Sequence, residues 1–519
     1  MHSKREPRLS MAYGRSEARL LDPTSAMAVD GVTAGSTVYS STVLLVSKSV
    51  DFDRTLRHIR EAAKAFGWRA EPEDERECAR DLRFGVRRVR LGVRAGKAAQ
   101  APDAWTVLQM MRAESKEGTR GVSLEHVLSP APETGADPHN RPNPHNRPNP
   151  HNRPNPHNRP NPHNRPNPHN RPNPDGGYDP LGTGGRQPVA YVGARPARRP
   201  DSEMQGDRPV VAILDTGCGD HPWLDFVRRD VRLGDHQIGW PDGVPNSEVD
   251  EDQVGPLDGM IDDLAGHGTF ISGLVHQACP DADIYSWRIV PPEGSVAETD
   301  WITALAQIAE LVHLYRQGDP RGRRIDVLSL SISYYHETPS DALFDPTLYE
   351  ILADLSANGT LVVCSAGNDA TTRPSFPAAF GPWSDGSGPI PQDPDVLPIV
   401  SVGALNPNGT TDALFSNAGP WVRAHEIGAS VVSTLPTVFD GGYQSGVETE
   451  HLGRTRASLD PDDYSGGFAI WSGTSFAAPL LAGKIAQWLL DHGQPGDEKQ
   501  DKKRAWAALE ALTTLKPPV

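Results

Sequence analysis

Short apolar runs and helical patterns alternate along residues 206–495. Apolar side chains recur every three or four positions in three segments and predict helices there: residues 300–315, 346–358 and 475–490. Five largely apolar runs predict buried strands: residues 210–214, 282–290, 325–333, 360–367 and 396–403. Strands that alternate with helices are typical of the α/β class, in which a parallel sheet carries helices on both faces. Reactive side chains of such folds lie at the carboxyl ends of the strands.

A smaller pattern precedes this one, over residues 36–130. The segment from Asp51 to Phe66 has apolar residues at helical spacing behind a capping aspartate, and a second helical run begins at Asp103. Three strand-like stretches accompany these helices: residues 42–47, 89–93 and 122–128. The β-α-β-α-β order predicts a small α+β domain with its helices on one face of a sheet.

A sequence repeat separates the two patterns. Residues 139–174 contain HNRPNP six times without a substitution, and this unit has no apolar side chain that could contribute to a core. The prolines favour an extended backbone, so we interpret residues 131–205 as a semi-rigid linker. A weak metal site on the six histidines is the alternative, but the repeat offers no cysteine or carboxylate ligand. Residues 1–35 and 496–519 are predicted to be tails, the first of them flexible.

Composition and charge exclude several classes of function. The chain of 519 residues is 37% hydrophobic and has a net charge of −16, but residues 1–136 carry a net +4 and residues 175–519 a net −25. Such an acidic main body argues against nucleic acid as the partner. No run of 18 uncharged apolar residues exists, which argues against a membrane span. Four cysteines are too few for a disulfide scaffold.

The amino-terminal 30 residues contain no continuous apolar stretch of the kind found in secretory signal peptides. Together with the small number of cysteines, this feature predicts a cytoplasmic protein with reduced thiols. The alternative is a secreted protein whose start is misassigned or whose export is non-standard.

Three segments place a reactive side chain at the boundary of a predicted element. The strand at residues 210–214 leads into Asp215 and a Thr-Gly turn, His267 lies between two glycines, and Ser475 follows Ser-Gly-Thr. The histidine and the serine each open an apolar helical run. Each segment alone is more often a cap or a turn than a catalytic group. Their occurrence together, in the order Asp, His, Ser on one strand-and-helix framework, favours chemistry with a serine nucleophile.

These segments resemble the three signatures of the subtilisin-like serine peptidases, family S8. A fourth segment, ending at Asn368, resembles that family's oxyanion-asparagine segment, and the similarity extends over residues 208–490. The resemblance implies a subtilisin-like fold and a serine endopeptidase that cleaves polypeptides. It implies that Ser475 is the nucleophile, His267 the general base and Asp215 the carboxylate that orients the base. Asn368 would stabilise the oxyanion.

The resemblance also implies a pocket for the substrate residue that precedes the cleaved bond. Its walls would come from Ser331, Ile332 and Ser333 on one predicted strand and from Ala366 and Gly367 on the next. Ser333 stands where the family usually has glycine, so its hydroxymethyl group would narrow the pocket or alter the path of the substrate strand. The preference at this position is therefore left open.

An acidic segment lies between the Asp and His motifs. Residues 241–263 contain eight carboxylates and no lysine or arginine. A solvated acidic loop, a subsite for basic substrate residues and a Ca²⁺ site all remain open. No ligand spacing of the Asp-x-Asp-x-Asp-Gly kind supports calcium, and otherwise we expect no cofactor and no metal.

Subtilisin-like peptidases commonly carry an α+β propeptide that assists folding and blocks the cleft with its C-terminal tail. Residues 36–130 have the size and the element order of such a propeptide, and their basic charge complements the acidic body. The resemblance therefore implies that they act as an intramolecular inhibitor. An unrelated adaptor domain is the alternative.

Two other functions compete for the whole chain. A catalytically silent binding module that keeps the fold is disfavoured because the three triad residues and Asn368 are all present. An aspartic protease, suggested by Asp215-Thr-Gly, needs two carboxylates that share a proton. The sequence contains no second Asp-Thr-Gly or Asp-Ser-Gly, which disfavours this reading.

Overall fold

The computed structural model describes most of the chain outside the repeats. The described residues are 18–96, 100–114, 119–130, 185–241, 244–254, 257, 259, 261–339, 347–391 and 393–517. The HNRPNP repeats, and with them most of the predicted linker, lie outside these residues. Within the described part, no helix has both the length and the apolarity needed to cross a membrane. We call residues 18–130 the N-terminal domain and residues 185–517 the C-terminal domain.

The N-terminal domain is an antiparallel sheet covered by helices. Its elements in chain order are β1 (Ala18–Leu21), β2 (Thr37–Ser47), α1 (Phe52–Ala65), β3 (Trp68–Pro72), α2 (Glu77–Arg80), β4 (Val86–Val93), α3 (Ala104–Glu114) and β5 (Val122–Pro130). The strands pair in the order β5-β2-β4-β3, and β1 pairs with β2. The two predicted helices and three predicted strands are all present, whereas β1 and β3 were not predicted.

Local sequence explains what was and was not predictable in this domain. Asp51 caps α1 by accepting a hydrogen bond from the Arg54 N–H at 3.0 Å, and the apolar face of the helix is buried. Strand β3 has the sequence WRAEP, in which only Trp68 and Ala70 are buried. Five residues with two buried side chains give too weak an alternation to predict a strand.

The C-terminal domain contains the elements that follow the repeats. They are β6 (Gln187–Pro188), β7 (Val210–Asp215), β8 (Arg232–Leu233), β9 (His236–Gln237), α4 (His267–Ala278), β10 (Asp283–Arg288), β11 (Val296–Ala297), α5 (Glu298–Arg316), β12 (Val327–Leu330), β13 (Ile332–Ser333), α6 (Thr347–Ala357), β14 (Leu361–Ser365), β15 (Val400–Leu405), β16 (Ala424–Ile427), β17 (Val431–Thr434), β18 (Glu448–His451), β19 (Arg454–Ala457), β20 (Phe468–Trp471), α7 (Thr474–Asp491) and α8 (Glu498–Leu512).

Six of these strands form a parallel sheet in the order β10-β7-β12-β14-β15-β16. Alternate side chains of β7 enter different cores: Val211 and Ile213 pack with α4, α7 and α8, whereas Ala212 and Leu214 pack with α5 and α6. The predicted α/β class, a subtilisin-like parallel sheet with helices on both faces preceded by a small α+β domain, is confirmed. Asp215 lies at the carboxyl end of β7.

The two domains share a sheet. β5 continues past its own domain and pairs antiparallel with β11 on one side and with β13 on the other. The face of the N-terminal sheet that does not carry α1 and α3 packs on α5, because Val43, Leu45 and Val86 belong to the same apolar core as that helix. The N-terminal domain is therefore seated on the C-terminal domain by both strand pairing and apolar packing.

The structure differs from the predicted boundaries at both ends of the chain. The predicted C-terminal tail, residues 496–519, contains α8, which Asp497 caps and whose Ala508 and Leu509 are buried. The helix was missed because its first seven residues, EKQDKKR, contain six charged side chains and no apolar one. Such a segment has no apolar periodicity from which a helix could be predicted. In the predicted N-terminal tail, Ala18–Leu21 form β1, which pairs with β2.

The described part of the predicted linker also packs on the C-terminal domain. β6 pairs with β20, and the fully buried Arg186 donates hydrogen bonds to the carbonyl oxygens of Asp262 and Ala265. Arg198 and Asp283 form an ion pair at 2.5 Å. The described residues 185–205 therefore pack on the domain that was predicted to begin at residue 206.

Candidate active site

The side chain of Asp215 is fixed at the end of a buried strand. It is 1% exposed, and its Oδ1 accepts a hydrogen bond from the Thr216 N–H at 2.8 Å. The same oxygen lies 2.7 Å from Nδ1 of His267. The carboxylate thus holds the imidazole through one ring nitrogen, which leaves Nε2 for the side of the ring away from Asp215.

His267 is the first residue of α4, and the glycines beside it allow this helix to start close to the loop that follows β7. A Cβ atom on Gly268 would lie 2.0 Å from the carbonyl oxygen of Gly217, so a larger residue would push the two segments apart. The His267 ring packs against Trp471 and Phe476, with ring centroids 5.5 Å and 5.3 Å away. Backbone and aromatic contacts together fix the position of the imidazole.

Ser475 lies in the first turn of α7, which begins after Gly473. It is 3% exposed and lines a cavity that is open to solvent. The remaining residues of the cavity wall come from both domains: Pro130, Leu264, His267, Asn368, Trp471, Ser472, Gly473 and Phe476. The structure thus brings His267, Ser475 and Asn368 to one cavity, with Asp215 directly behind the histidine.

Asn368 follows β14, and its amide is oriented by the start of α7. Its carbonyl oxygen Oδ1 accepts hydrogen bonds from the Thr474 N–H at 2.9 Å and from the Thr474 hydroxyl at 2.8 Å. The Thr474 hydroxyl oxygen also accepts a hydrogen bond from the Gly367 N–H at 3.0 Å. With Oδ1 occupied in this way, Nδ2 is the end of the amide that remains for the cavity.

The five predicted pocket residues lie together at the carboxyl ends of β12 and β14, and all are buried. The Ser331 hydroxyl donates a hydrogen bond to the carbonyl oxygen of Ser475 at 3.1 Å. Ile332 and Ser333 form β13, whose partner is the end of β5. Ala366 and Gly367 follow β14, and Gly367 has a φ of +100° that favours glycine. The hydroxymethyl group of Ser333 does not prevent an antiparallel strand from pairing there.

Sequence reasoning missed the position of Glu248. Its carboxylate is 1% exposed and accepts hydrogen bonds from the hydroxyls of Thr216 and Thr269 and from the Gly268 N–H. Burial raises the pKa of Glu248 above its usual value, against those hydrogen bonds, and the charge of Asp215 adds to the increase. The carboxylate therefore joins the segment after Asp215 to the start of α4. The only signal in the sequence was its membership of the acidic segment.

The remaining described carboxylates of the acidic segment do not show what the segment binds. Asp252 accepts a hydrogen bond from the Gly259 N–H at 2.6 Å, and Asp262 accepts one from the Gln253 N–H at 2.8 Å. Asp242 and Asp258 lie outside the described residues. The calcium site and the subsite for basic residues in residues 241–263 stay predictions.

A second group of titratable side chains lies where the domains meet, and no motif in the sequence predicted it. His126, His336 and Glu337 present donor atoms within 4.8 Å of one another. Both ring nitrogens of His126 are hydrogen-bonded to carboxylates of the C-terminal domain, Nδ1 to Glu298 at 2.6 Å and Nε2 to Glu337 at 2.8 Å. This arrangement is that of an imidazolium between two carboxylates rather than of a metal ligand.

Comparison with known proteins agrees with this geometry. Residues 206–508 match the model of the subtilase family, Peptidase_S8. The intracellular serine protease of Paenibacillus polymyxa is 25% identical over 300 residues, which are 55% of this chain and 68% of that protein. The major intracellular serine protease of Bacillus subtilis (strain 168) is 26% identical over 247 residues, 45% of this chain and 62% of that protein.

Among solved structures, fervidolysin from Fervidobacterium pennivorans, a keratinolytic enzyme related to subtilisin, is similar with a TM-score of 0.46 at 17% sequence identity. The similarity covers 92% of this chain and 58% of that one. The chain thus spans between 58% and 68% of the length of these three proteins.

Proposed function

The chain belongs to the subtilase family, and we propose that it is a serine endopeptidase whose triad is Asp215, His267 and Ser475. The observation that carries this proposal is the shared cavity of His267, Ser475 and Asn368, with the buried Asp215 at 2.7 Å from Nδ1 of the histidine. These residues lie near the carboxyl ends of parallel strands, where folds of this class carry their active sites. The substrate is a polypeptide.

In this proposal the three side chains act as one unit. A serine hydroxyl is a weak nucleophile at neutral pH, so Nε2 of His267 takes its proton as Oγ of Ser475 attacks the carbonyl carbon. Asp215 keeps the proton of the imidazole on Nδ1 and stabilises the imidazolium that forms. The same histidine then donates its proton to the leaving amine, and water releases the acyl group by the reverse sequence.

The tetrahedral intermediate carries a negatively charged oxygen that needs hydrogen-bond donors. We assign this role to Nδ2 of Asn368 and to the backbone N–H of Ser475, which lies in the first turn of α7 where N–H groups lack helical partners. Thr474 holds Oδ1 of Asn368 through two hydrogen bonds, so the amide is preorganised before the substrate arrives. Preorganised donors lower the barrier without reorganisation during the reaction.

The N-terminal domain is proposed to be an inhibitor within the same chain. Its last strand, β5, pairs with β13 of the substrate pocket, and Pro130 lines the cavity of Ser475. Ion pairs outside the cavity also hold the N-terminal domain on the C-terminal domain. Arg83 forms ion pairs with Glu310 at 2.8 Å and with Asp354 at 2.9 Å. A polypeptide substrate could not enter the cavity while β5 occupies it, so activity requires that the end of β5 be displaced or cleaved.

We also propose that the enzyme acts inside the cell. Both bacterial relatives named above are described as intracellular serine proteases. The four cysteines of the chain are free thiols, as a reducing compartment would keep them. Immunodetection of the chain in cytosolic and culture-medium fractions tests this proposal, and recovery from the medium of intact cells would contradict it.

A fluorophosphonate probe distinguishes the endopeptidase from a silent binding module. The purified chain is treated with the probe, and the labelled peptide is mapped by mass spectrometry. We expect the label on Ser475 and no label in Ser475→Ala. A chain that carries the label elsewhere, or none after hours at high probe concentration, is not a serine peptidase of the proposed kind.

The same measurement tests inhibition by the N-terminal domain. Arg83→Ala removes the ion pairs with Glu310 and Asp354 and should raise the labelling rate of Ser475 by about threefold, since charge pairs at such an interface contribute modestly. Arg57→Ala, on the exposed face of α1, is the matched control and should leave the rate unchanged. Equal labelling rates in the unchanged chain, Arg83→Ala and Arg57→Ala would show that these ion pairs do not control access of the probe to Ser475.

A further inference from the structure

The end of the N-terminal domain pairs with two strands of the C-terminal domain beside the candidate active site. Of residues 127–130, the first two pair antiparallel with β11 and the last two with β13. The strand then reaches the cavity that contains His267 and Ser475. Residues 127–130 therefore lie where an antiparallel substrate strand would pair with β11 and β13, and His126 directly precedes them.

His126 lies four residues before Pro130 on this path, in contact with two carboxylates. The residue is 1% exposed. Its ring nitrogens lie 2.6 Å from Glu298 and 2.8 Å from Glu337, and its backbone N–H also donates to Glu298 at 3.0 Å. Glu298 directly follows β11 and Glu337 follows β13, so both carboxylates belong to the C-terminal segments that pair with the end of β5.

Further groups near the ring come from two segments. Tyr334 and His336, on the segment after β13, have ring centroids 4.5 Å and 5.1 Å from that of His126. Arg112 of α3 lies 3.9 Å from Glu337 and is a second cation of the N-terminal domain near this carboxylate. When the N-terminal domain leaves, both His126 and Arg112 leave with it, while Glu298, Glu337 and His336 stay.

The charges of this cluster favour a cation at the position of His126. Burial would lower the pKa of His126, but the charges and hydrogen bonds of Glu298 and Glu337 outweigh burial and raise it to about 10. Burial lowers the pKa of His336 to about 4, so this neighbour is neutral near pH 7. Two buried carboxylates without a cation between them are strongly unfavourable.

We propose that Glu298 and Glu337 form a subsite that selects a basic residue of the substrate, four positions before the residue that replaces Pro130. The proposal rests on the proposed function, because it names the substrates of that same cleft. This subsite is distinct from the acidic segment at residues 241–263, because that segment precedes His267 in the sequence whereas Glu298 and Glu337 follow it. A neutral side chain at this position would leave the two carboxylates unpaired, whereas lysine, arginine or protonated histidine would pair with them.

The chain's own β5 provides the first test. The labelling rate of Ser475 by the fluorophosphonate probe is measured in the full chain and in His126→Gln, which keeps a polar side chain but no charge. We expect about tenfold faster labelling in His126→Gln, because the cation that holds the strand is lost. In a Glu298→Gln/Glu337→Gln chain, the same substitution should change the rate by less than about twofold. His58→Gln, on the exposed face of α1, is the control.

Substrates added to the His126→Gln chain, in which β5 is expected to be held more weakly, provide the second test. Three quenched fluorescent peptides copy residues 122–136 with lysine, histidine or glutamine at the position of His126. We expect the lysine peptide to be cleaved with a kcat/KM about tenfold above that of the glutamine peptide. The Glu298→Gln/Glu337→Gln chain should lose this preference.

The outcomes separate the subsite from the proposed function. The subsite proposal is wrong if Ser475 is labelled at the same rate in the unchanged chain and in His126→Gln and the three peptides are cleaved equally. This result would not contradict the proposal that the chain is a serine peptidase. Absence of any label on Ser475 overturns the proposed function, and the subsite falls with it.

Discussion

Two histidines of this chain are buried against carboxylates, and they differ in what their second ring nitrogen meets. His267 is bound by Asp215 through Nδ1 alone, and its ring lines the cavity of Ser475. His126 is bound by a carboxylate at each nitrogen. An imidazole that serves as a base must take up and release a proton at one nitrogen, whereas one that is bound at both nitrogens is held as a cation.

The difference shows how one residue type gives either chemistry or attachment. The neighbours of His267 are a single carboxylate and the aromatic rings of Trp471 and Phe476, which fix its position without occupying Nε2. The neighbours of His126 neutralise its charge from two sides, so its proton is retained. Substitutions at the first histidine should therefore change the rate of the reaction, and substitutions at the second should change access to the site.

The largest expected effect is at the catalytic pair. His267→Ala and Ser475→Ala should each lower the hydrolysis of an amide substrate by about 10⁴ to 10⁶ in kcat, and the double variant should lose no more than either single one. The reason is that His267 acts by taking the proton of Ser475, so its loss has no further effect once Ser475 is absent. Independent losses that multiply in the double variant would contradict a shared role.

A smaller effect is expected at the oxyanion position. Asn368→Leu keeps the size of the side chain and removes the amide donor, so kcat should fall by about 10² to 10³ while KM changes little. Thr474 loses its acceptor in this variant, so the thermal unfolding midpoint is measured alongside. A folded Asn368→Leu chain with an unchanged kcat would remove Asn368 from the site.

Local signals in the sequence were sufficient to predict which residues the structure brings together at the candidate site. Asp215 ends an apolar strand, and His267 and Ser475 each open a helix beside glycine, so the turn chemistry and the apolar period point to the same residues. The parallel sheet followed from the alternation of strands and helices for the same reason. Local propensity and tertiary structure agree at these positions.

The parts that sequence reasoning missed depend on contacts between distant segments. Glu248 was one carboxylate of eight in an acidic segment, and only the fold buries it against Thr216 and Thr269. Glu298 and Glu337 belong to different elements and meet only across β5 of the other domain. Helix α8 has a charged first half and few apolar positions, and its burial comes from packing on α7.

The smallest expected effect is a dependence on pH of how readily the fluorophosphonate probe reaches Ser475. Because Glu298 and Glu337 raise the pKa of His126 to about 10, from an ordinary value of about 6.5 when the strand is displaced, docking of β5 retains a proton. The stabilisation by His126 is therefore complete below about pH 6.5 and is lost progressively as the pH rises toward 10.

The other charged group from the N-terminal domain, Arg112, keeps its charge over this range, and His336 stays neutral, so His126 is the group whose charge changes. The measurement is the ratio of Ser475 labelling rates in His126→Gln and in the unchanged chain from pH 6 to pH 9.5. Taking the ratio cancels the pH dependence of the labelling reaction itself, which both chains share. We expect the ratio to be largest near pH 6 and to decrease severalfold by pH 9.5. A ratio that stays constant would show that His126 holds the strand by shape and hydrogen bonding alone, and the contrast with His267 would then lie in geometry rather than in charge.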